Sequence, residues 1–547
     1  MRLVGERPSS LGPVKVAIVG GGPRGLWAAE ELVARWRHTP QRTLTVRVFD
    51  PCHPGAGQVY RTDQPGCWRL NVRSSAVRTH MGTLDSWRED NAAELADFCP
   101  EHQVGDGFPP RKVVGLFLER SWNHLVEALP EACRVEHVPR AVNAAEVRED
   151  LLRNYDHVLL ATGHASDWPG ALSHQPPSSR DGRESRAVRA TSTAVPVYGT
   201  DGALRYGCEE NVRGIAPGSR IVVRGAALTF IDLIMWLRAH PIDGVTVEPY
   251  SRSGRFMEVK PDPSGALSNL DSADVGRAAE AIEAARSTED IEAAIALAAA
   301  GLLAAAGGKA SEVAISDVLA GHDSSGDPVA DLRASLHVAE GAAEPSAAWA
   351  VGEAFRRVYS ALVTRLSYGG RSHLLDPERW DALAHRMERV AFGPPAVTAR
   401  AVLDGIDSGL IDPTAMRRSL KGANGLNSGE DARRDSAANE HSDSEAGEDS
   451  PAGTTVILAD AVIPPPGIVP GTVTAELVDS GVLKRDPSTN AVLSGEDATV
   501  PTCGPATLAV VGRDVEGTVL GLDTLSRDMH REIPRWADMI ASRAGVR

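Results

Sequence analysis

The stretch from Val14 to Asp50 constrains this chain more than any other. Val14 to Val19 (VKVAIV) is a short apolar, β-branched run of the kind that forms a buried parallel strand. It closes on Gly20-Gly21-Gly22-Pro23-Arg24-Gly25, and Leu26 to Trp36 continues as an alanine-rich helix. Gly20 permits a tight turn, Gly22 lets backbone approach a pyrophosphate, and Gly25 lets the helix pack against the strand. The helix N-terminus adds N–H donors and a positive dipole end. A second strand, Leu44 to Phe49, finishes in Asp50, placed to accept hydrogen bonds from ribose hydroxyls. A lone glycine pattern is weak, but strand, glycines, helix, strand and acid in this order specify a dinucleotide-binding unit. Its candidate contacts are Gly20, Gly22, Pro23, Arg24, Gly25 and Asp50.

At 547 residues the chain exceeds a single core, so two or three domains are expected. No run of 18 apolar residues occurs, and the first residues lead directly into a strand without the pattern of a signal peptide. A cytoplasmic protein without a membrane partner is the expectation. The formal charge of −16 disfavours a nucleic-acid partner, because phosphates would be repelled. The six cysteines lie far apart with no CxxC, which argues against a zinc ribbon, a dithiol redox centre and any metal site.

A second strand–turn–helix unit follows: Ile221 to Val223, then Arg224-Gly225-Ala226-Ala227, then an apolar helix. Ala227 stands where a second glycine is expected, and its methyl group would crowd a pyrophosphate. The next strand, Val245 to Pro249, runs into Tyr250-Ser251-Arg252-Ser253-Gly254-Arg255. Two arginines there suit a 2′-phosphate, favouring NADPH over NADH with Gly225, Arg252 and Arg255 as contacts. A basic surface hairpin is the alternative. Between Asp274 and Ala306 the pattern is helical, with a capping signal at Ser287 to Asp290. Residues 421–453 are polar and charged with almost no large apolar side chains, and read as a disordered insertion.

Two more segments carry a resemblance. Asp156 to His164 (DHVLLATGH) closes on Ala161-Thr162-Gly163 and resembles the ATG motif of two-dinucleotide flavoproteins, which implies FAD at the first site. Leu508 to Asp514 (LAVVGRD) resembles the late strand that returns to the FAD domain in that superfamily, opening onto a helix that includes Leu520 to Glu532. Asp514 then becomes a candidate for the ribityl chain, with a plain surface carboxylate as the alternative. Taken with GGGPRGLWAAEELVAR, FDPCHPGAGQVY, DQPGCWRLN and YSRSGR, the chain resembles the GPRG-type FAD/NAD(P)-binding proteins of bacteria. GxGPxxL and Gly512 to Ser526 (GRDVEGTVLGLDTLS) also resemble segments of the N-hydroxylating monooxygenases of ornithine and lysine, without their usual histidine and with shorter spacing. Some GPRG-type members resemble enzymes that oxidise the amino group of aspartate to a nitro group.

The resemblance implies an α/β fold: a two-dinucleotide-binding flavoprotein with Rossmann-like FAD and NADPH domains and a helical insertion. The expected boundaries are 1–200 for the first part of the FAD domain, 215–265 for the NADPH unit, 266–420 for a helical substrate cap and 454–547 for the return to the FAD domain. It implies an FAD- and NADPH-dependent monooxygenase acting with O2 on the neutral amine of a small amino acid, aspartate being the first candidate. The segment Gln64 to Thr83 is the expected active-site lining. There Asn71 would hydrogen-bond the reacting groups, Arg73 and Arg78 would clamp carboxylates, and His80 would shuttle protons. Structural ion pairs are the alternative for both arginines and for His80. An NADPH-dependent flavin reductase or dehydrogenase, and a flavin-binding regulatory protein without turnover, remain open as functions. The oligomeric state is open too, a homo-oligomer being one option.

Overall fold

The computed structural model describes residues 12–37, 42–165, 168–170, 215–309, 311–417, 456–501 and 505–546. The polar segment 421–453 lies outside them.

The first sheet has six strands in the order β10-β11-β6-β1-β2-β5. They are β1 (Val14–Val19), β2 (Leu44–Phe49), β5 (Cys133–Val138), β6 (His157–Leu160), β10 (Thr499–Val500) and β11 (Thr507–Val510). All pairs are parallel except β10 with β11. β6 is buried along its whole length, as a strand covered on both faces must be. Helix α1 (Pro23–Arg35) covers one face together with α2 (Arg111–Glu127) and the C-terminal α13 (Glu532–Arg543). Leu26, Leu32, Trp36, Trp536 and Ile540 are fully buried there against Val16 and Ile18.

The second sheet is a parallel trio, β8-β7-β9, made of β7 (Arg220–Arg224), β8 (Thr246–Tyr250) and β9 (Val456–Asp460). The expected return to the FAD domain from residue 454 is therefore corrected. β9 pairs with β7 in register Ile221↔Ile457, and the chain rejoins the first sheet only afterwards, through β10 and β11. Its partly buried ILA run closes an edge that β7 would otherwise leave unpaired. Helix α3 (Leu228–Ala239) packs on this sheet, and a bidentate pair joins Arg111 of α2 to Asp232 of α3 at 2.7 and 3.0 Å.

Helices α4 (Ala273–Ala284), α5 (Thr288–Ala305), α6 (Glu312–Ala320), α7 (Pro328–Ala339), α8 (Ala347–Arg357), α9 (Tyr359–Leu366), α10 (Pro377–Ala391) and α11 (Ala396–Asp407) fill the central region. Ser287 and Asp290 form the reciprocal capping box the sequence predicts for α5. Most of these helices share one core around Ile291, Leu302, Trp349, Phe355 and Leu383. α7 and α11 instead supply Leu332, Leu336, Val402 and Leu403 to the core of the second sheet.

The expected helix over Leu520 to Glu532 is a second correction. Gly517 and Gly521 adopt φ of 120° and 74°, which breaks any helix there. Regular α-structure begins only at Glu532, after a 3₁₀ turn at Arg527–Met529; a short α12 (Val473–Asp479) precedes β10. β3 (Arg78–Thr79) and β4 (Gly82–Thr83) form a separate small hairpin.

Candidate dinucleotide and substrate site

Gly20 has φ of +104°, and a Cβ there would lie 2.1 Å from the carbonyl oxygen of Ala161. A Cβ on Gly25 would meet the Gly20 oxygen at the same 2.1 Å, so helix and strand touch through bare backbone. Gly22 differs. Its added Cβ would find only the Cα of Gly57, at an ordinary 3.5 Å, so the glycine loop leaves room where a ligand phosphate belongs. Pro23 occupies the first turn of α1, no side chain caps that helix, and its first turn carries no acid. Its free N–H groups fit a dinucleotide pyrophosphate.

Asp50 already serves the loop: its carboxylate accepts from the backbone N–H of Gly21 at 2.7 Å and of Cys52 at 2.8 Å. It thereby holds the glycine turn closed at the end of β2. Arg24 does not point to a phosphate. Its guanidinium donates to the Leu522 carbonyl and lies 3.7 Å from Glu532, tying the first helix to the C-terminal segment. Burial lowers its pKa, against the pull of Glu532 and Glu516.

Ala161 receives the chain from β6, with its N–H on the Val19 oxygen, and Gly163 turns at φ +77°. Thr162 donates its hydroxyl to Asp514 at 2.7 Å, and Thr474 of α12 donates to the other oxygen at 2.9 Å. Asp514 is buried, and loss of solvation pushes its carboxyl up to about 6 against those two hydrogen bonds. It is thus a buried clasp between the ATG turn and the late strand, not a surface carboxylate.

At the second unit Gly225 turns at φ +102° and Ala227 caps α3 by backbone alone, again with no acid in the first turn. Arg252 is exposed at the tip of the following turn. Arg255 is not available to a phosphate. It forms a bidentate pair with Asp323 at 2.6 and 2.9 Å, with Arg389 at 3.3 Å on the same carboxylate. That corrects the expectation for Arg255, whose guanidinium reaches inward because a buried acid waits there.

The expected active-site segment divides in two. Asn71 and Arg73 face the helical region: Asn71 donates to the Phe392 carbonyl at 3.0 Å, and Arg73 lies 3.9 Å from Glu353. Arg78 and His80 go elsewhere. Arg78 pairs with Asp528, and His80 contacts Arg527 at 2.9 Å and Glu31 at 3.4 Å on the flank of α1. They line a depression of about 470 Å³ together with Arg35, Arg531 and Pro534. Glu31 lies nine residues beyond Gly22, roughly 13 Å along the helix axis. Hence Arg78 and His80 share no site with Asn71 and Arg73, a correction that the hairpin of β3 and β4 imposes by turning the chain back.

Charged and phenolic side chains of the first unit, the second unit and the helical region gather in one neighbourhood. Tyr60, Arg24, His164, Arg513, Glu516 and Asp523 come from the FAD side, Tyr359 and Glu388 from the helices, and Arg252 from the second unit. These groups sense each other electrostatically. His164 is solvent-accessible yet hemmed in by protein, and desolvation together with Arg513 and Arg24 pushes its imidazole down to about 4. Burial pushes the Tyr60 phenol up to about 12 and Glu516 up to about 7, and raises Tyr359 further. At neutral pH His164 and both tyrosines are uncharged hydrogen-bonding groups.

Residues 17–165 match the FAD-NAD(P)-binding family. The matched segment contains the first glycine loop, Asp50 and the ATG turn, and it assigns that unit to FAD or NAD(P). The chain is 29% identical over 248 residues to the nitrosuccinic acid synthase of Aspergillus oryzae, covering 42% of this chain and 36% of that protein. It is 27% identical over 271 residues to the nitrosuccinate-forming L-aspartate N-monooxygenase of Streptomyces cremeus, with 40% and 36% covered. The chain thus matches little more than a third of the length of these curated relatives. Among solved structures, L-lysine 6-monooxygenase from Pseudomonas syringae aligns over 97% of this chain and 99% of its own, at 11% identity and a TM-score of 0.45.

Several residues of the FAD-NAD(P)-binding neighbourhood carry no motif. Lys260, Tyr359, Glu388 and Asp523 sit in unremarkable local sequence. Only Lys260 offered a signal, a lysine that follows the mostly apolar stretch Phe256-Met257-Glu258-Val259. The four described cysteines are free thiols, and burial pushes Cys67 up to about 12 and Cys99 and Cys133 up to about 11.

Proposed function

We propose that this chain is an FAD- and NADPH-dependent N-monooxygenase oxidising the amino group of a small acidic amino acid, with aspartate as the substrate. The observation that carries the reading is that two glycine turns, each leading into a helix with no side-chain cap, belong to units whose charged side chains reach one shared neighbourhood. Arg252 of the second unit and Arg513 and Asp523 of the first all act on Glu388. The names of the two curated relatives supply the substrate class.

FAD fits the first turn through the space above Gly22 and the free N–H groups of α1, and NADPH would take the second through the N-terminus of α3 and Arg252, beside the Ala227 methyl that replaces a glycine. Together they supply electrons to O2 and an activated oxygen atom for the amine. The chain's own part is binding and exclusion of water. His164, Tyr60 and Tyr359 present uncharged partners, so they add no fixed ion to that neighbourhood. Arg24 and the Thr162–Asp514 clasp hold the C-terminal segment against the glycine loop.

The test is NADPH and O2 consumption by flavin-loaded protein with aspartate, followed by product mass. Aspartate-dependent consumption with a hydroxylated or nitro product supports the reading. Consumption that ignores amino acids points to a reductase, and none at all to a binding protein without turnover.

A further inference from the structure

Lys260 is 8% exposed, and no carboxylate lies within ion-pair distance of it among the described residues. Its ammonium reaches the Asn71 carbonyl and stands 5.6 Å from the ring of Phe108. Beside it, Arg73, Arg356 and Arg357 crowd one acid, Glu353, at 3.9, 2.6 and 2.7 Å. Three guanidinium groups thus crowd a single carboxylate, with Lys260 beside them outside ion-pair reach of it. The amide oxygen of Asn71 is buried with no partner, although its nitrogen is satisfied by Phe392. Buried charge in excess and a buried orphan acceptor both cost stability unless a ligand completes them. The cluster also adjoins that neighbourhood. Phe392 packs edge-on against Tyr359 at 5.3 Å, and Tyr359 fills the space a Cβ on Gly521 would need, two residues from Asp523.

We infer that Lys260, Arg73 and Asn71, backed by Arg356, form the carboxylate receptor of the substrate site, where Lys260 selects a dicarboxylic over a monocarboxylic amino acid. The assignment rests on the amino-acid oxidation proposed above and names where its substrate is held. Arg73 is partly exposed and gives the anion its way in, and the Asn71 amide oxygen accepts from the substrate amine. Burial, with Arg356 and Arg73 facing it, holds Lys260 well below the usual lysine range. The charged groups around the cluster are Arg73, Arg356, Arg357, Glu353 and, on the Arg73 side, Asp262. An arriving carboxylate opposes that shift and favours the ammonium form of Lys260, so anion binding draws a proton towards it.

The probe is succinate, a dicarboxylate without an amine, titrated calorimetrically into flavin-loaded protein in two buffers of different ionisation enthalpy. Wild type should bind with net proton uptake. K260M should bind about ten- to a hundredfold more weakly and take up no proton, the loss of one charge-assisted contact. K260R should keep most of the affinity while losing the uptake, which separates charge from packing if K260M proves unstable. Wild-type affinity in K260M, or no succinate binding by wild type, overturns the inference. Succinate binding through Lys260 without aspartate oxidation would instead remove the proposed reaction and leave the receptor standing.

Discussion

The hydroxyl of Thr162 donates to the carboxylate of Asp514 at 2.7 Å, joining residues 352 positions apart in the chain. With Thr474 on its other oxygen, Asp514 fastens the turn after β6 to the turn after β11. Its pKa of about 6 lies above the 3.8 of a free aspartate because it is buried. A carboxyl whose folded pKa is raised favours folding while protonated. That contribution is full below about pH 4 and is lost as pH rises to about 6, a cost on the order of 3 kcal/mol at neutral pH. Asp514→Asn should therefore gain stability relative to wild type as pH rises from 4 to 7. Urea unfolding at several pH values checks this, and parallel curves for the two proteins would refute it.

The glycine loop separates folding from binding. Gly22→Ala meets nothing closer than 3.5 Å, so the variant should keep its melting temperature but lose FAD, whose phosphates need that space. Gly25→Ala should lose both, since its methyl would stand 2.1 Å from the Gly20 oxygen. Flavin absorbance and thermal unfolding together distinguish the cases.

The two arginines after β8 should behave differently. Arg252→Ala should raise KM for NADPH about tenfold to a hundredfold with NADH hardly affected, since a charge-assisted phosphate contact is worth roughly 1.5–3 kcal/mol. Arg255→Ala strands Asp323 in the interior with Arg389 as its remaining partner. It should cost about 2–3 kcal/mol of stability and leave coenzyme preference unchanged. Steady-state kinetics with both coenzymes, beside melting curves, reads the difference.

Arg78 and Arg73 give a matching contrast. Arg78 and Asp528 are each more than half exposed, and such pairs contribute little. Arg78→Ala should change turnover less than about twofold. Arg73→Ala should raise KM for aspartate and uncouple NADPH oxidation from product, as measured by released peroxide. An equal loss in both variants would return Arg78 to the substrate site.

The sequence was most legible where chemistry is local. Val14 to Asp50 announced a strand, a turn, a helix and a strand because each step needs a residue type that nothing distant supplies, such as Gly20 at φ +104°. The capping box of Ser287 and Asp290 was equally local. The course of residues 520–531 was not, since Gly521 at φ 74° and Gly517 just before it, at φ 120°, keep the chain out of the helix expected there. Arg255 read as a phosphate ligand because its acid, Asp323, comes 68 residues later.

The sequence by itself determined two strand–turn–helix units and the residues that shape their turns, because backbone conformation at a tight turn is a property of a few adjacent residues. Only the tertiary structure decided which side chains share a site. It parted Arg78 and His80 from Asn71 and Arg73, sent β9 to the second sheet, and brought Lys260 beside Asn71 across 189 residues. The strength of an ion pair, the solvation of a buried lysine and the pKa of Asp514 all depend on what long-range packing places within a few ångströms. No local pattern encodes that.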